Sequence, residues 1–211
     1  MSAFGKYVAA VLVVALVTHF ALLQLAPGLI MDRVMGAIEQ RVMSPGAANE
    51  SIGHESPALQ YVTDPRQQNI NARAGWNVAL PLGRPDHTSR GIVRPSPDLL
   101  YTVCLFDVSR GPVILTAPVQ DSYVSLSGFA ANTDNFFAIN DSQVAPDAEG
   151  RKRFNVVLLG SVKGSASIPD DATVVAAPTD RGIVLFRSLV RDDAQLDELY
   201  RMQARQLCTP L

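Results

Sequence analysis

Hydrophobic and polar positions divide the chain into an uninterrupted apolar run and a longer, mixed region. From Tyr7 to Ile30 the chain carries 24 residues without a formal charge. At about 1.5 Å per residue this run gives roughly 36 Å of helix, enough to cross a hydrocarbon core of about 30 Å. A signal peptide cleaved after Ala26 is the alternative, but the cut would fall directly before proline. The pattern favours an uncleaved transmembrane anchor over residues 1–30, whose helix Pro27-Gly28 ends where it leaves the bilayer.

The next segment repeats its apolar residues with a helical period. This stripe predicts an amphipathic helix of about three turns, ended by Ser44-Pro45-Gly46. Packing on a membrane surface, on the following domain or on a partner's helix each explains the stripe. Residues 47–70 are polar and without a period, so 31–70 is interpreted as a helix plus an irregular linker. The stripe consists of Met31, Val34, Met35, Ile38 and Val42.

After Gly91 the sequence consists of short runs of β-branched and aromatic residues separated by turn signals. Leu99–Phe106 is apolar on both faces, as in a central strand, whereas Ser122–Phe129 alternates apolar and serine positions. Short strands at this spacing, without interleaved helices, predict an antiparallel β-sandwich or barrel-like domain over 71–211. The seven predicted strands are Leu99–Phe106, Val113–Ala117, Tyr123–Phe129, Phe136–Ile139, Phe154–Leu159, Thr173–Ala177 and Gly182–Leu189.

Two further features complete the predicted domain. Trp76, the sole tryptophan, is interpreted as a packing anchor. A C-terminal helix is predicted from Asp193 to Leu207, with Asp192 as its N-cap and an apolar stripe that packs on the sheet.

Composition and charge exclude two classes of protein. The chain is 47% apolar and 18% charged, which excludes a disordered polypeptide. Its net charge of −2 lacks the basic surplus that neutralises phosphates, so nucleic acid is not expected as a partner. Charge does not decide the topology, because Lys6 and the terminal amine on one side of the apolar run balance Arg33 and Arg41 on the other.

Motifs for catalysis and cofactors are missing from the sequence. His19, His54 and His87 stand in unrelated segments without a second ligand at metal-site spacing. There is no phosphate-cradling loop, nucleophile elbow or dinucleotide fingerprint. We therefore expect no metal and no cofactor, and an enzymatic activity is not favoured. Cys104 lies in an apolar strand and is expected as a buried free thiol, while a disulfide to Cys208 would require an oxidising compartment.

Two polar clusters are the candidate ligand-binding residues. In the first, Arg94 would bind an anionic or polyol ligand, with Asp98 and Tyr101 orienting it. In the second, Asn132 and Asn135 belong to a segment rich in turn-forming residues. The alternative for both clusters is structural, because such side chains also satisfy backbone groups in loops and Asx turns.

Several segments resemble the bacterial family called domain of unknown function 1254. Val93–Tyr101 resembles the family's RPxxDxxY segment, and Phe106–Val113 resembles its DLSKGPV segment. Four further segments resemble the family and follow in its order: Tyr123–Leu126, Asn132–Phe136, Ala177–Thr179 and Cys208–Leu211. The sequence departs from the family at Ser96, where an asparagine is usual.

The resemblance implies a compact β-rich domain exported from the bacterial cytoplasm. Such domains are often fused to a second one, domain of unknown function 1214, which suggests a separately encoded, membrane-anchored companion for this chain. The resemblance brings no catalytic residues. We expect a single-pass inner-membrane protein whose periplasmic domain is a non-catalytic interaction or envelope module, with the lipid bilayer and the companion as partners. The alternative is a small-molecule-binding or hydrolytic domain with a pocket around Arg94, Asp98 and Tyr101.

Overall fold

The computed structural model describes residues 3–43, 57, 75–86, 95–119, 122–161 and 167–211. A long N-terminal helix is followed by a β-rich domain that contains one short helix near its end. The elements in chain order are α1 (Ala3–Met43), β1 (Ala79–Pro81), β2 (Leu99–Asp107), β3 (Val113–Val119), β4 (Val124–Ala130), β5 (Asn135–Asn140), β6 (Lys152–Leu159), β7 (Thr173–Ala176), β8 (Arg181–Leu189), α2 (Leu196–Gln203) and β9 (Leu207–Pro210).

The strands form two sheets packed face to face. One sheet has five strands in the order β1-β2-β8-β4-β5, and the other has four in the order β7-β6-β3-β9. All pairings are antiparallel except β6 with β7, which run parallel. The mainly β domain with a C-terminal helix and an N-terminal apolar helix is therefore confirmed. All seven strands predicted from the β-branched and aromatic runs form, and β1 and β9 are additional.

The main core lies between the two sheets. Its largest fully buried side chains are Phe106 and Phe186 from the five-stranded sheet and Phe154 from the four-stranded sheet. Strand β2 is buried on both faces, as its uniform apolarity predicted, because its other face packs under α1.

A disulfide joins the two sheets through this core. Cys104 on β2 and Cys208 on β9 are bonded, with their Cα atoms 6.3 Å apart, and both are fully buried. The expectation of a free thiol at Cys104 is wrong. The reason is topological: β9 pairs with β3 and thereby places Cys208 opposite Cys104, although the two residues are 104 positions apart in sequence.

Helix α1 does not end at Pro27, so the predicted break there is wrong. The helix runs on to Met43 with Pro27 inside it. A proline removes only one backbone hydrogen bond, and the following turns are stabilised because Met31, Met35 and Ile38 are buried against the five-stranded sheet. The predicted amphipathic helix is thus the second half of α1, and it packs on the domain.

The C-terminal helix is shorter than predicted. Asp192 caps as expected, since its carboxylate accepts the Ala194 N–H at 3.0 Å, but it begins a 3-10 turn over Asp193–Gln195 before α2. Helix α2 ends at Gln203, because the following residues pair with β3 as strand β9. The irregular connection predicted over 47–70 lies, apart from Pro57, outside the described residues.

Candidate functional site

The first half of α1 is an exposed apolar surface. Its side chains face outward from the domain, and the helix is long and apolar enough to cross a bilayer, by length and composition. Large side chains such as Phe4, Tyr7 and Val11 are 67–78% exposed. An exposed apolar area of this extent marks a membrane or protein interaction surface, so this segment is a possible membrane anchor.

The second half of α1 is held to the domain by an apolar surface. The i, i+4 and i+7 positions Met31, Met35 and Ile38 are 7%, 5% and 3% exposed. They pack on the outer face of the five-stranded sheet, whose contributing residues are Leu82, Val103, Leu105 and Ile183. Sequence periodicity found this stripe, but the sheet face that covers it required the strand register.

A polar network fastens the same helix at its far end. Trp76 Nε1 donates a hydrogen bond to Glu39 Oε1 of α1 at 2.9 Å. The guanidinium of Arg181 lies over the Trp76 ring, 4.8 Å from its centroid, and its Nε donates to Asp107 Oδ2 at 2.8 Å. Asn77 pairs with the backbone of Asp107 in both directions. Trp76 is therefore a packing anchor, as predicted, and it also links the helix to the sheet.

Asp107 is the most strongly engaged carboxylate in this network. Partial burial would by itself raise the pKa of Asp107, but hydrogen bonds from the Ser109 hydroxyl and N–H, together with the Arg181 guanidinium, outweigh it and hold that pKa below its usual value. The carboxylate is thus kept ionised and ties the β2–β3 turn to β8.

The structure describes two of the three residues of the first predicted ligand cluster, Asp98 and Tyr101. Arg94 lies outside the described residues. Asp98 is exposed at the start of β2. The Tyr101 hydroxyl accepts the Ser96 N–H at 3.0 Å, and Asp98 N–H is directed to Ser96 Oγ at 3.3 Å. These contacts are those of a turn that leads into a strand.

The second predicted cluster lies elsewhere on the sheet. Asn132 donates to Asp134 Oδ2 at 2.7 Å and accepts from its N–H, while Asn135 donates to Gly128 O at 3.2 Å. Strand register places Asn135 three strands and four residues away from Tyr101, roughly 20 Å at the usual strand spacings. The structure does not bring the two clusters together, and a ligand role for either stays a prediction.

A different set of polar residues is brought together by strand register. Tyr101, Arg187, Ser125 and Asn140 are successive cross-strand partners on β2, β8, β4 and β5. We call these four residues the polar row. The alternation of Ser122–Phe129 had placed Ser125 on the face opposite Val124, but only the pairing of four strands shows that an arginine lies beside it.

The structure places no group of three or more His, Cys, Asp or Glu side chains in metal-binding proximity within its described ranges.

Among known protein families, the one described as protein of unknown function (DUF1254) matches residues 77–210. The chain belongs to this family. The DUF1254 match covers strands β1 to β9 and the short helix, and it includes the Asp107 turn. Helix α1 lies before the matched residues.

Two solved structures of bacterial proteins match parts of this chain. The VPA0106 protein from Vibrio parahaemolyticus matches with a TM-score of 0.49 and 15% identity, over 84% of this chain and 38% of that one. An uncharacterized protein from Burkholderia cenocepacia matches with a TM-score of 0.39 and 15% identity, over 57% and 33%. The chain thus spans about a third to two fifths of the length of these two solved structures. No curated protein matches the chain.

Proposed function

We propose that this protein is a single-pass inner-membrane protein that presents a DUF1254 domain on the periplasmic side. There the domain acts as a non-catalytic interaction or envelope module. The observation that carries the proposal is the continuity of α1, which passes from an exposed apolar segment into a segment buried on the domain without leaving the helix.

In this proposal, the continuity of α1 limits the distance between domain and bilayer. Met31, which directly precedes Asp32, the first charged residue after the apolar run, is already buried against the domain. At about 1.5 Å of rise per residue, even a span that ended at Ala26 would leave only about one and a half helical turns between bilayer and domain. Such a mounting suits a module that meets a partner at the membrane surface.

The disulfide supports the periplasmic side. Disulfides persist in oxidising compartments, which include the bacterial periplasm, and are rare in the cytosol. Cys104 and Cys208 are fully buried between the two sheets, where the bond is protected from exchange. The positive-inside comparison was balanced, so the cysteine pair is the stronger argument for orientation.

The partner proposed is a separately encoded, membrane-anchored companion of the domain of unknown function 1214 type, as the family resemblance implies. The polar side chains that the sequence singled out support a structural use of the domain. Tyr101 and Asn132 each satisfy backbone groups of turns in the described structure.

The test is co-purification of the tagged full-length chain from native bacterial membranes after mild cross-linking. We expect one recurring membrane-anchored companion. Met35→Asp places a charge in the buried face of α1 and should reduce its recovery, whereas Gln40→Asp, at an exposed position of the same helix, should not. A strictly monomeric extract without a recurring companion would overturn the pairing.

A further inference from the structure

Two neighbouring polar groups on the five-stranded sheet lack the partners that buried polar groups normally have. Ser125 is 4% exposed, and its buried hydroxyl has no hydrogen-bond partner among the residues that the structure describes. Its cross-strand neighbour Arg187 is half-buried, and no described residue offers its guanidinium an acceptor. Buried polar groups are satisfied in the great majority of cases, and partly buried charges are usually paired. An added acceptor group would therefore be stabilised beside this pair.

The neighbours of this pair extend it into a row of donors. Cross-strand partners in an antiparallel sheet project from the same face with Cβ atoms about 5 Å apart, so the polar row of Tyr101, Arg187, Ser125 and Asn140 spans four adjacent strands on one face. This is the outer face on which α1 packs, since Tyr101 also contributes to the apolar contact with that helix.

Each member of the polar row has a hydrogen-bond donor left over. The Tyr101 oxygen accepts the Ser96 N–H, which leaves its proton for donation. The Asn140 oxygen accepts the N–H and hydroxyl of Ser142, which leaves its amide N–H₂ group. Arg187 and the Ser125 hydroxyl add the remaining donors.

The row itself contains no carboxylate, and the adjacent one is engaged elsewhere. Asp141 follows Asn140 directly, but its Oδ1 accepts the Val124 N–H at 3.3 Å. A row that carries one positive charge, and whose members each keep a donor that no described residue takes up, is complementary to a ligand with anionic oxygens. We infer that the polar row is a binding site for a small oxyanion, a carboxylate or a phosphate, with Arg187 as the charged contact and Ser125 as the buried donor. This site does not depend on the proposed pairing with a companion.

Binding can be tested with simple probes on the full chain in dodecyl maltoside micelles. Inorganic phosphate and succinate are titrated by isothermal calorimetry at constant ionic strength, with chloride as the exchanged ion. We expect saturable binding of at least one of the two. Arg187→Gln should weaken it about tenfold or more, because charge-assisted hydrogen bonds are lost. Arg153→Gln removes an exposed charge from β6 in the other sheet and should leave the affinity within twofold.

A second variant separates binding from folding. Ser125→Ala removes a buried hydroxyl that has no partner, so the ligand-free protein should melt at an equal or higher temperature. Its affinity for the oxyanion should nevertheless fall by several fold. Lower thermal stability together with unchanged affinity would contradict the assignment of Ser125 as the buried donor.

The phosphate of a lipid headgroup has the same chemistry as a soluble oxyanion, and bilayer composition distinguishes the two sources. The titration is repeated in nanodiscs of phosphatidylcholine with and without phosphatidylglycerol. If phosphate binding is lost only in nanodiscs that contain phosphatidylglycerol, and if this loss depends on Arg187, the site is assigned to an anionic headgroup. Equal phosphate binding in both assigns it to a soluble ligand. Absence of saturable binding under every condition, or equal affinity of Arg187→Gln and wild type, would overturn the site.

Discussion

Shortening one side chain in the contact between α1 and the sheet tests how firmly the domain is mounted. Ile38 is 3% exposed and packs in the cluster formed with Val103, Leu105 and Ile183. Met31, Met35 and Ile38 together bury side chains that contribute roughly 1.5–3 kcal/mol each, as an upper bound. We expect Ile38→Ala to lower the free energy of unfolding by about 2–5 kcal/mol, through lost burial and the cavity left behind.

The design separates packing from helix propensity. Alanine is a better helix former than isoleucine, so the substitution does not weaken α1 itself and any loss must come from the contact. Gln40→Ala, on the exposed side of the same helix, is the matched control and should stay within about 0.5 kcal/mol of wild type.

The assay is urea unfolding of the full chain in dodecyl maltoside, followed by tryptophan fluorescence. Trp76 is the sole tryptophan and its indole N–H donates to Glu39 of α1, so its emission should shift to the red when the helix leaves the sheet. Equal urea midpoints for Ile38→Ala and Gln40→Ala, with unchanged Trp76 emission, would refute the claim that this contact holds α1 on the sheet.

Four further substitutions test the domain and helix α1. Cys208→Ser removes a cross-link that spans 104 residues. By the loop-entropy argument it should lower the free energy of unfolding by about 4–5 kcal/mol, which is measured as a lower melting temperature. An unchanged melting temperature would contradict the bond. Gly182→Ala should cost about 3 kcal/mol, because a Cβ there would collide with the Phe129 carbonyl oxygen and the Phe106 ring. In α1, a Cβ added at Gly36 meets open space, so Gly36→Ala should raise the free energy of unfolding by about 0.5–1 kcal/mol in the same melting experiment. A similar loss of stability in Gly182→Ala and Gly36→Ala would refute the steric reasoning. The lowered pKa of Asp107 stabilises the fold above the ordinary carboxyl pKa of about 3.9, and this contribution is lost as pH falls through the lowered value. Acid unfolding of Asp107→Asn should therefore be less steep than that of wild type, and equal slopes would count against this role.

Local patterns predicted most of the fold because they report which face of an element is buried. Runs of β-branched and aromatic residues between turn signals predicted the strands over Val113–Ala117 and Gly182–Leu189, and the period of Met31 to Ile38 predicted the helical stripe that packs on the sheet. The register among strands is not local, so sequence reasoning gave neither the Cys104–Cys208 bond nor the juxtaposition of Arg187 with Ser125.

The two misplaced element boundaries have the same physical origin. Pro27 is a helix-ending signal, yet burial of the following turns against the sheet keeps α1 continuous. The predicted C-terminal helix extended to Leu207, yet Leu207 begins strand β9, which pairs with β3. In both cases a tertiary contact outweighs a local preference of about 1–3 kcal/mol.

The side of the membrane on which the domain lies is the central claim of the proposed function. The direct measurement is protease treatment of spheroplasts from bacteria that express the full chain, followed by detection of a C-terminal tag. The account predicts that protease added outside removes the domain, and that the chain isolated from untreated cells runs as a disulfide-bonded species on non-reducing gels. Protection of the domain until the membrane is lysed, with both cysteines reduced, would contradict it.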